Sequence, residues 1–370
     1  MFGPKHYVPV LRGKLGEYQA LRDLDAAARD LMTPLIDIPQ VPWDWDTDLP
    51  AKTVAAHLAT LATRLEGCGF GGRPFFIDPL MALDATDPNV NLIDGQHALV
   101  WLTAQAALKG VRLVPVTGLS RSAEYQTAVS AVVTRDQLGV CLRLQPDDLG
   151  DFNRLTAEIG AFLTTLNIEP ANVDLIVDFK DIPQSDSQAG LLLLGIIGSF
   201  SSLPRVSEWR SLTFAGSSFP VNLSGLPADS MTRIQRREYA IWLELVARRA
   251  SLPRVPSFGD YGISSAEPGE EINPKIMLMS ANLRYTAEPE WLVFKGRNTR
   301  EHGYDQFAGF CQQLIGMPEF SGAGFSAGDR YISDCAAGTV TSGNATTWRR
   351  LGTNHHVTLA GRQIASNPDL

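Results

Sequence analysis

Eight short, nearly continuous apolar runs recur along this chain, and they constrain its fold more than any other feature. They are "YVPVLR" (7–12), "TPLIDI" (33–38), "RPFFID" (73–78), "VRLVPVTG" (111–118), "GVCLRLQ" (139–145), "VDLIVDF" (173–179), "SLTFAGSS" (211–218) and "RVPSFGDYG" (254–262). Runs of this kind suit strands buried on both faces, as in a parallel sheet. Between them lie segments whose apolar residues recur at helical spacing. In "GEYQALRDLDAAARDL", for example, Tyr18, Leu21, Leu24 and Ala28 share a face. "AKTVAAHLATLATRL", "GQHALVWLTAQAALKG", "SAEYQTAVSAVVTRDQ", "DLGDFNRLTAEIGAFLTTL", "SQAGLLLLGIIGSF" and "MTRIQRREYAIWLELVARRA" behave alike. Strand runs alternating with helices predict an α/β fold, a (β/α)8 TIM-like barrel. A doubly wound open sheet fits less well, because no Gly-x-Gly-x-x-Gly follows the first run.

After the eighth run the alternation breaks. "LRYT" and "WLVFKGR" flank the turn "AEPE" (287–290) and predict a β-hairpin insertion over 283–297, in the loop where barrel sites form. "YDQFAGFCQQLIGM" (304–317) then reads as the eighth helix, which assigns 1–317 to the barrel and 318–370 to a C-terminal cap.

Composition narrows the function classes. The chain has 370 residues, 44% of them hydrophobic and 19% charged, enough to bury a large core. A net charge of −8 disfavours nucleic acid as a partner. The most apolar stretch, "AGLLLLGIIGSF" (189–200), is too short to span a bilayer and reads as a buried helix. "MFGPKHYVPVLRG" carries no long apolar segment of the signal-peptide kind. Cys68, Cys141, Cys311 and Cys335 have neither zinc-knuckle nor redox spacing, so reduced thiols in a cytoplasmic protein are expected.

"YVPVLRGKLGEYQAL", "TPLIDIP", "FAGSSFP", "GDYGI", "RYTAEPEWLVFKGR", "FSAGDRYI" and "GNATTWRRLGTNHH" together resemble the Beta protein family, over nearly the whole chain. The resemblance implies a bacterial, prophage or phage-defence setting. It implies no reaction for these residues.

The site is therefore argued from the strand ends, where barrel enzymes place their chemistry. Asp37, Asp78, Asp178 and Asp260 end four runs, and Arg12 and Arg143 end two more. By period-two alternation Asp37 shares a face with Leu35, Asp78 with Phe76 and Asp178 with Ile176. Each aspartate alone reads equally as a helix cap. Together they suit either a divalent metal, with Asp37 and Asp78 as ligands, or a salt-bridge network closing the barrel. Ser217 and Ser218, in the loop after the seventh run, are candidate phosphate ligands, and an ordinary tight turn reads as well. Arg284, Lys295 and Arg297 on the hairpin would clamp an anion together with Arg143, or else protect a solvated edge. Tyr261 and Trp348 complete the substrate-binding candidates.

Only six histidines occur, and two are adjacent in "GTNHH". Asn354 reads as the N-cap of a short helix whose first turn carries His355 and His356, where the dipole would keep an imidazole neutral. His302 is a weaker candidate. These residues outline an enzyme acting on a phosphorylated small molecule or nucleotide, with phosphodiester cleavage as the reaction. His355, His356, Asp178 and Asp260 would move protons. The rival reading is a non-catalytic subunit that binds a small anionic ligand or a partner protein from the same operon. No Gly-x-Ser-x-Gly elbow, Walker loop or His-Glu-x-x-His is present.

Overall fold

The computed structural model describes residues 2–269, 273, 275–276 and 278–370. Each of the eight apolar runs forms a strand. Apart from two short loop ribbons, the strands in chain order are β1 (Tyr7–Leu11), β2 (Leu35–Asp37), β3 (Phe75–Asp78), β4 (Leu113–Thr117), β5 (Val140–Leu144), β6 (Val173–Asp181), β7 (Ser211–Ser217), β8 (Ser230–Gln235), β9 (Ser257–Asp260), β10 (Ser280–Thr286) and β11 (Glu290–Asn298). β1 to β7 and β9 close into a parallel barrel, with β9 pairing to both β7 and β1. Val8, Val10, Leu35, Phe76, Val116 and Ile176 fill its interior. Alternate residues such as Tyr7, Phe75, Leu142 and Phe258 face the surrounding helices. This two-sided burial is why the runs lack polar alternation.

β8 was not visible in the sequence, where 231–250 reads as one helix. Residues 230–235 instead pair with β11, and the helix begins only at Arg237. The expected hairpin is present as β10 and β11, and β8 makes it a three-stranded antiparallel sheet. The sheet packs on the C-terminal side of the barrel, where Trp291 and Val293 meet Phe219 and Ile263 from the loops after β7 and β9.

The eighth barrel helix also differs from the expectation. Helix Gln306–Ile315 forms at the predicted place, but its Phe307, Cys311 and Leu314 join Leu283, Tyr285 and Phe294 of the extra sheet in a second core. The segment that packs beside β1 is the last helix, Ala345–Ala365. Its Val357, Ala360 and Ile364 enter the main core, and it lies along helix Leu15–Arg22. Asn354 locks it there, donating to the Ala20 carbonyl (3.0 Å) and accepting from the Gly328 N–H (2.9 Å). The apolar helix Asp186–Ser202 is only half buried, with Leu191 and Leu194 facing outward, so it is not the internal helix its sequence suggests. All four cysteines are free and buried. Among the described residues no helix is long and apolar enough to cross a membrane.

Candidate functional site

The mouth of the barrel is closed by a charged network. Parallel register sets Asp37 beside Asp78, and Arg143 projects from β5 between them. Its Nη1 donates to Asp37 Oδ1 (2.8 Å) and Asp78 Oδ2 (3.5 Å), Nε to Asp178 Oδ2 (2.9 Å), and Nη2 to the Tyr261 hydroxyl (2.7 Å). Tyr261 in turn donates to Asp178 (2.5 Å). Arg121 holds Asp78 in a two-pronged pair at 2.9 and 2.7 Å. Arg12 lies 3.9 Å from Asp37 and donates to the carbonyls of Ser265 and Ala266, which fold over the opening.

Three aspartates thus face three arginines, and the set is almost dry: Arg143 is 5% exposed and Asp178 0%. Burial pushes Asp37 above the usual carboxylate range against the pull of Arg143, with Asp78 beside it adding to the rise. Burial raises Asp78 too, but the guanidinium groups of Arg121 and Arg143 outweigh it and hold that carboxyl low. The sequence allowed a metal or a salt-bridge network at this rim. Guanidinium groups supply the positive charge that a metal would bring, and among the described residues no group of three or more His, Cys, Asp or Glu side chains is arranged to hold an ion. Removing one partner from such a buried set costs about 3–5 kcal/mol, because the others keep their charge without compensation.

Asp260 does not belong to this rim cluster. It alternates with Phe258 on the outer face of β9, under the last helix. Its Oδ1 accepts from the Tyr7 hydroxyl (2.5 Å) and the Gly262 N–H (2.9 Å), and its Oδ2 faces His356 Nε2 (2.9 Å). His356 Nδ1 meets Thr286 Oγ1 at 2.8 Å. Burial lowers the His356 pKa, so the neutral ring donates to Asp260 and accepts from the threonine. This is the connectivity of a nucleophile, base and carboxylate chain. A cavity of about 750 Å³ borders Thr286, yet only 1% of that residue is exposed, and the adjacent Ala287 N–H is already bonded to Glu290 O at 2.8 Å. The chain therefore ties β9, β10 and the last helix together without presenting a reactive hydroxyl.

His355 is equally committed. Its Nδ1 faces Asp329 Oδ2 and its Nε2 the Thr286 carbonyl, both at 2.8 Å, and its ring stacks on Tyr285 at 3.9 Å. Both ring nitrogens are thus occupied within the protein. Neither histidine lies in a first turn. They sit mid-helix, fully buried, and the N-cap is Asn344, whose side chain accepts from the Thr347 N–H (3.1 Å). His302 is far more open, 3.9 Å from Glu301.

The remaining candidates separate. Ser217 donates to the Ser264 carbonyl (2.8 Å), and Ser218 holds Glu238 Oε2 (2.5 Å). Lys295 caps the carbonyls of Leu223 and Leu226 at 2.7 and 2.6 Å, while Arg297 pairs with Asp229 on the surface. Arg143, Lys295 and Arg297 therefore do not converge. Trp348 stacks on Phe307 (4.2 Å) and donates to Ser342 O (2.7 Å) in the second core.

Arg284 differs from all of these. It lies half-buried above the Phe219 ring (4.8 Å), donating Nη1 to Ile263 O (2.7 Å) and Nε to Asn282 Oδ1 (3.0 Å). It forms no ion pair with a carboxylate among the described residues. Burial, and then the charge of Arg349, push its pKa down to about 9. Arg349 spans Ser264 Oγ (2.9 Å) and Glu17 (3.3 Å), and exposed Lys14 lies in the field of both arginines and of Arg12. The lip of the mouth thus carries three cationic side chains, Arg284, Arg349 and Lys14, against the one carboxylate of Glu17. Lys14, Arg121, Asp329 and Arg349 escaped the sequence reading as site residues. Lys14, Asp329 and Arg349 stand in "RGKLGEY", "FSAGDRYI" and "TTWRRL", stretches that carry the family resemblance, which was their only signal.

The profile of the Beta protein family matches residues 7–362, so the chain belongs to that family. A search of curated proteins returns no match.

Proposed function

We propose that this barrel is a recognition module for a small anionic molecule, such as a phosphorylated metabolite or nucleotide. The ligand would be held at the lip of the mouth by Arg284, Arg349 and Lys14, within the phage-conflict setting that the family resemblance implies. The observation that carries the reading is Arg284, a partly buried guanidinium held without a carboxylate. Its Nη2 makes no hydrogen bond among the described residues. A cation kept in that state costs stability, and an arriving phosphate or carboxylate offsets the cost with a charge-assisted, fork-like contact. Binding is favoured over phosphodiester cleavage because the aspartates and histidines available for proton transfer are already paired inside the protein.

Calorimetry with inorganic phosphate, pyrophosphate and AMP tests the reading. Arg284→Met should weaken binding roughly tenfold to a hundredfold, the size of one lost charged hydrogen-bonding partner. Arg297→Ala, on the exposed edge, should change little. Affinity should also decline as pH rises through about 9, where Arg284 loses its proton. The sign for stability is opposite. A base whose folded pKa lies below its unfolded value penalises the native state at neutral pH, so Arg284→Met should melt no lower than the parent. Unchanged affinity in Arg284→Met, or no binding of any of the three anions, defeats the proposal.

A further inference from the structure

Beyond the cationic lip, the loops after β2 and β3 form a surface of the opposite character. Each folds into a small two-stranded ribbon, Trp43–Asp44 with Leu49–Pro50 and Leu92–Ile93 with Gln96–His97. The two loops adjoin, since helix Val54–Leu58 of the first packs on Pro88–Asn91 of the second. They present Trp43, Trp45, Leu49, Leu80, Val90 and Leu92 to solvent, each at least a third exposed. Tryptophans left open on a loop, in a chain with a large and well-filled core, are unusual unless something covers them.

Charge identifies the occupant. Asp48, Asp84, Asp87 and Asp94 are interleaved with these apolar side chains, and none of the four forms an ion pair among the described residues. Asp48 and Asp94 are instead engaged with the indole N–H groups of Trp43 and Trp101, both at 3.2 Å. A second copy of the chain, docked symmetrically, would set aspartate against aspartate in a protein that already carries a net charge of −8. Anionic lipid and nucleic acid are repelled for the same reason. We infer that this face docks a basic, amphipathic polypeptide segment, whose apolar side chains cover the tryptophans while its lysines or arginines meet the unpaired aspartates.

The test uses the full chain and two dye-labelled helical peptides, one of leucine and lysine and one of leucine and glutamate, read by fluorescence anisotropy. The lysine peptide should bind and the glutamate peptide should not. Trp43→Ala with Trp45→Ala should weaken binding about tenfold or more, the usual effect of removing an aromatic anchor. Asp48→Asn with Asp84→Asn and Asp87→Asn should weaken it too and flatten its salt dependence. All five positions are exposed, so melting temperatures should stay near the parent's and separate lost binding from lost folding. Arg284→Met should bind the peptide as the parent does, which keeps this inference independent of the anion site. Equal binding by the tryptophan variant, or by the glutamate peptide, overturns the inference. So does a dimer in sedimentation that disappears with the tryptophans, which would make the occupant a second copy. Tryptophan-dependent binding to phosphatidylcholine vesicles overturns it as well, in favour of a lipid surface.

Discussion

Glu238 opens the first turn of its helix and is 0% exposed. Its Oε2 accepts from the Ser218 backbone (3.1 Å) and hydroxyl (2.5 Å), while its Oε1 has no hydrogen-bond partner among the described residues. Arg236, itself buried, stands 3.8 Å from that oxygen and 3.8 Å from Asp260. Burial drives the Glu238 pKa up to about 7; Arg236 opposes the rise and Asp260 adds to it. An acid whose folded pKa lies above its unfolded one binds its proton more tightly when native. It contributes stability fully present below about 4.5 and lost as pH climbs through about 7. His356 acts in the opposite sense, since burial lowers its pKa, so the comparison of parent and variant isolates the glutamate. Glu238→Gln should flatten the melting-temperature profile between about pH 5 and 8, removing a swing of order 1–3 kcal/mol. Parallel profiles from calorimetry would mean that Glu238 stays ionised. No sequence pattern pointed to this residue. In "RREYAIW" it looks like a first-turn acid favoured by the helix dipole, and only the fold shows that Ser218 and Asp260 surround it.

At the scale of the element, the last helix was the hardest to read, and the reason is physical. Hydrophobic periodicity finds helices with one wet face, but here Thr353, Asn354, His355, His356 and Thr358 are all buried, and Asn354 and both histidines bond to neighbouring elements. Without an apolar stripe, "GTNHH" looks like a loop ending in a cap. The small residue in that motif is also explained by packing. A Cβ on Gly352 would lie 2.8 Å from Ile263 Cδ1 and 2.9 Å from the Arg284 carbonyl, so glycine lets the helix touch the hairpin and the loop after β9. Gly352→Ala should gain about 1 kcal/mol of helix propensity and lose more to overpacking, for a net loss of roughly 1–2 kcal/mol. It should also shift Arg284 and weaken anion binding. Gly309→Ala, in a helix where an added Cβ meets nothing, should be neutral or stabilising. Denaturant melts of the two variants check the contrast, and equal effects would refute the close-approach argument.

For the whole molecule, the strands were legible because each run announces its own burial, whereas the pairing of helices to strands depends on chain ends that sequence order separates. Between β9 and the last helix, β10, β11 and their helices intervene, so the first helix after them was mistaken for the one that completes the barrel. The rim shows the same division. Alternation correctly grouped Asp37, Asp78 and Asp178 on the inner face, but placing Asp260 requires knowing that Phe258, its partner on the strand, packs outward. If Ala345–Ala365 is the closing helix, a chain ending at Asn344 loses more than a cap. It uncovers Tyr7 and Leu21, and removes His356 from Asp260 and His355 from Asp329. Losing that buried apolar face together with both histidine–aspartate pairs costs several kcal/mol, comparable to the whole stability of a typical domain. The truncated chain should therefore lack a cooperative thermal transition by circular dichroism, and a peptide spanning 345–365 should restore one when added. A truncated chain that melts like the parent would show that the barrel closes without this helix, and that the residues after 317 are a removable cap.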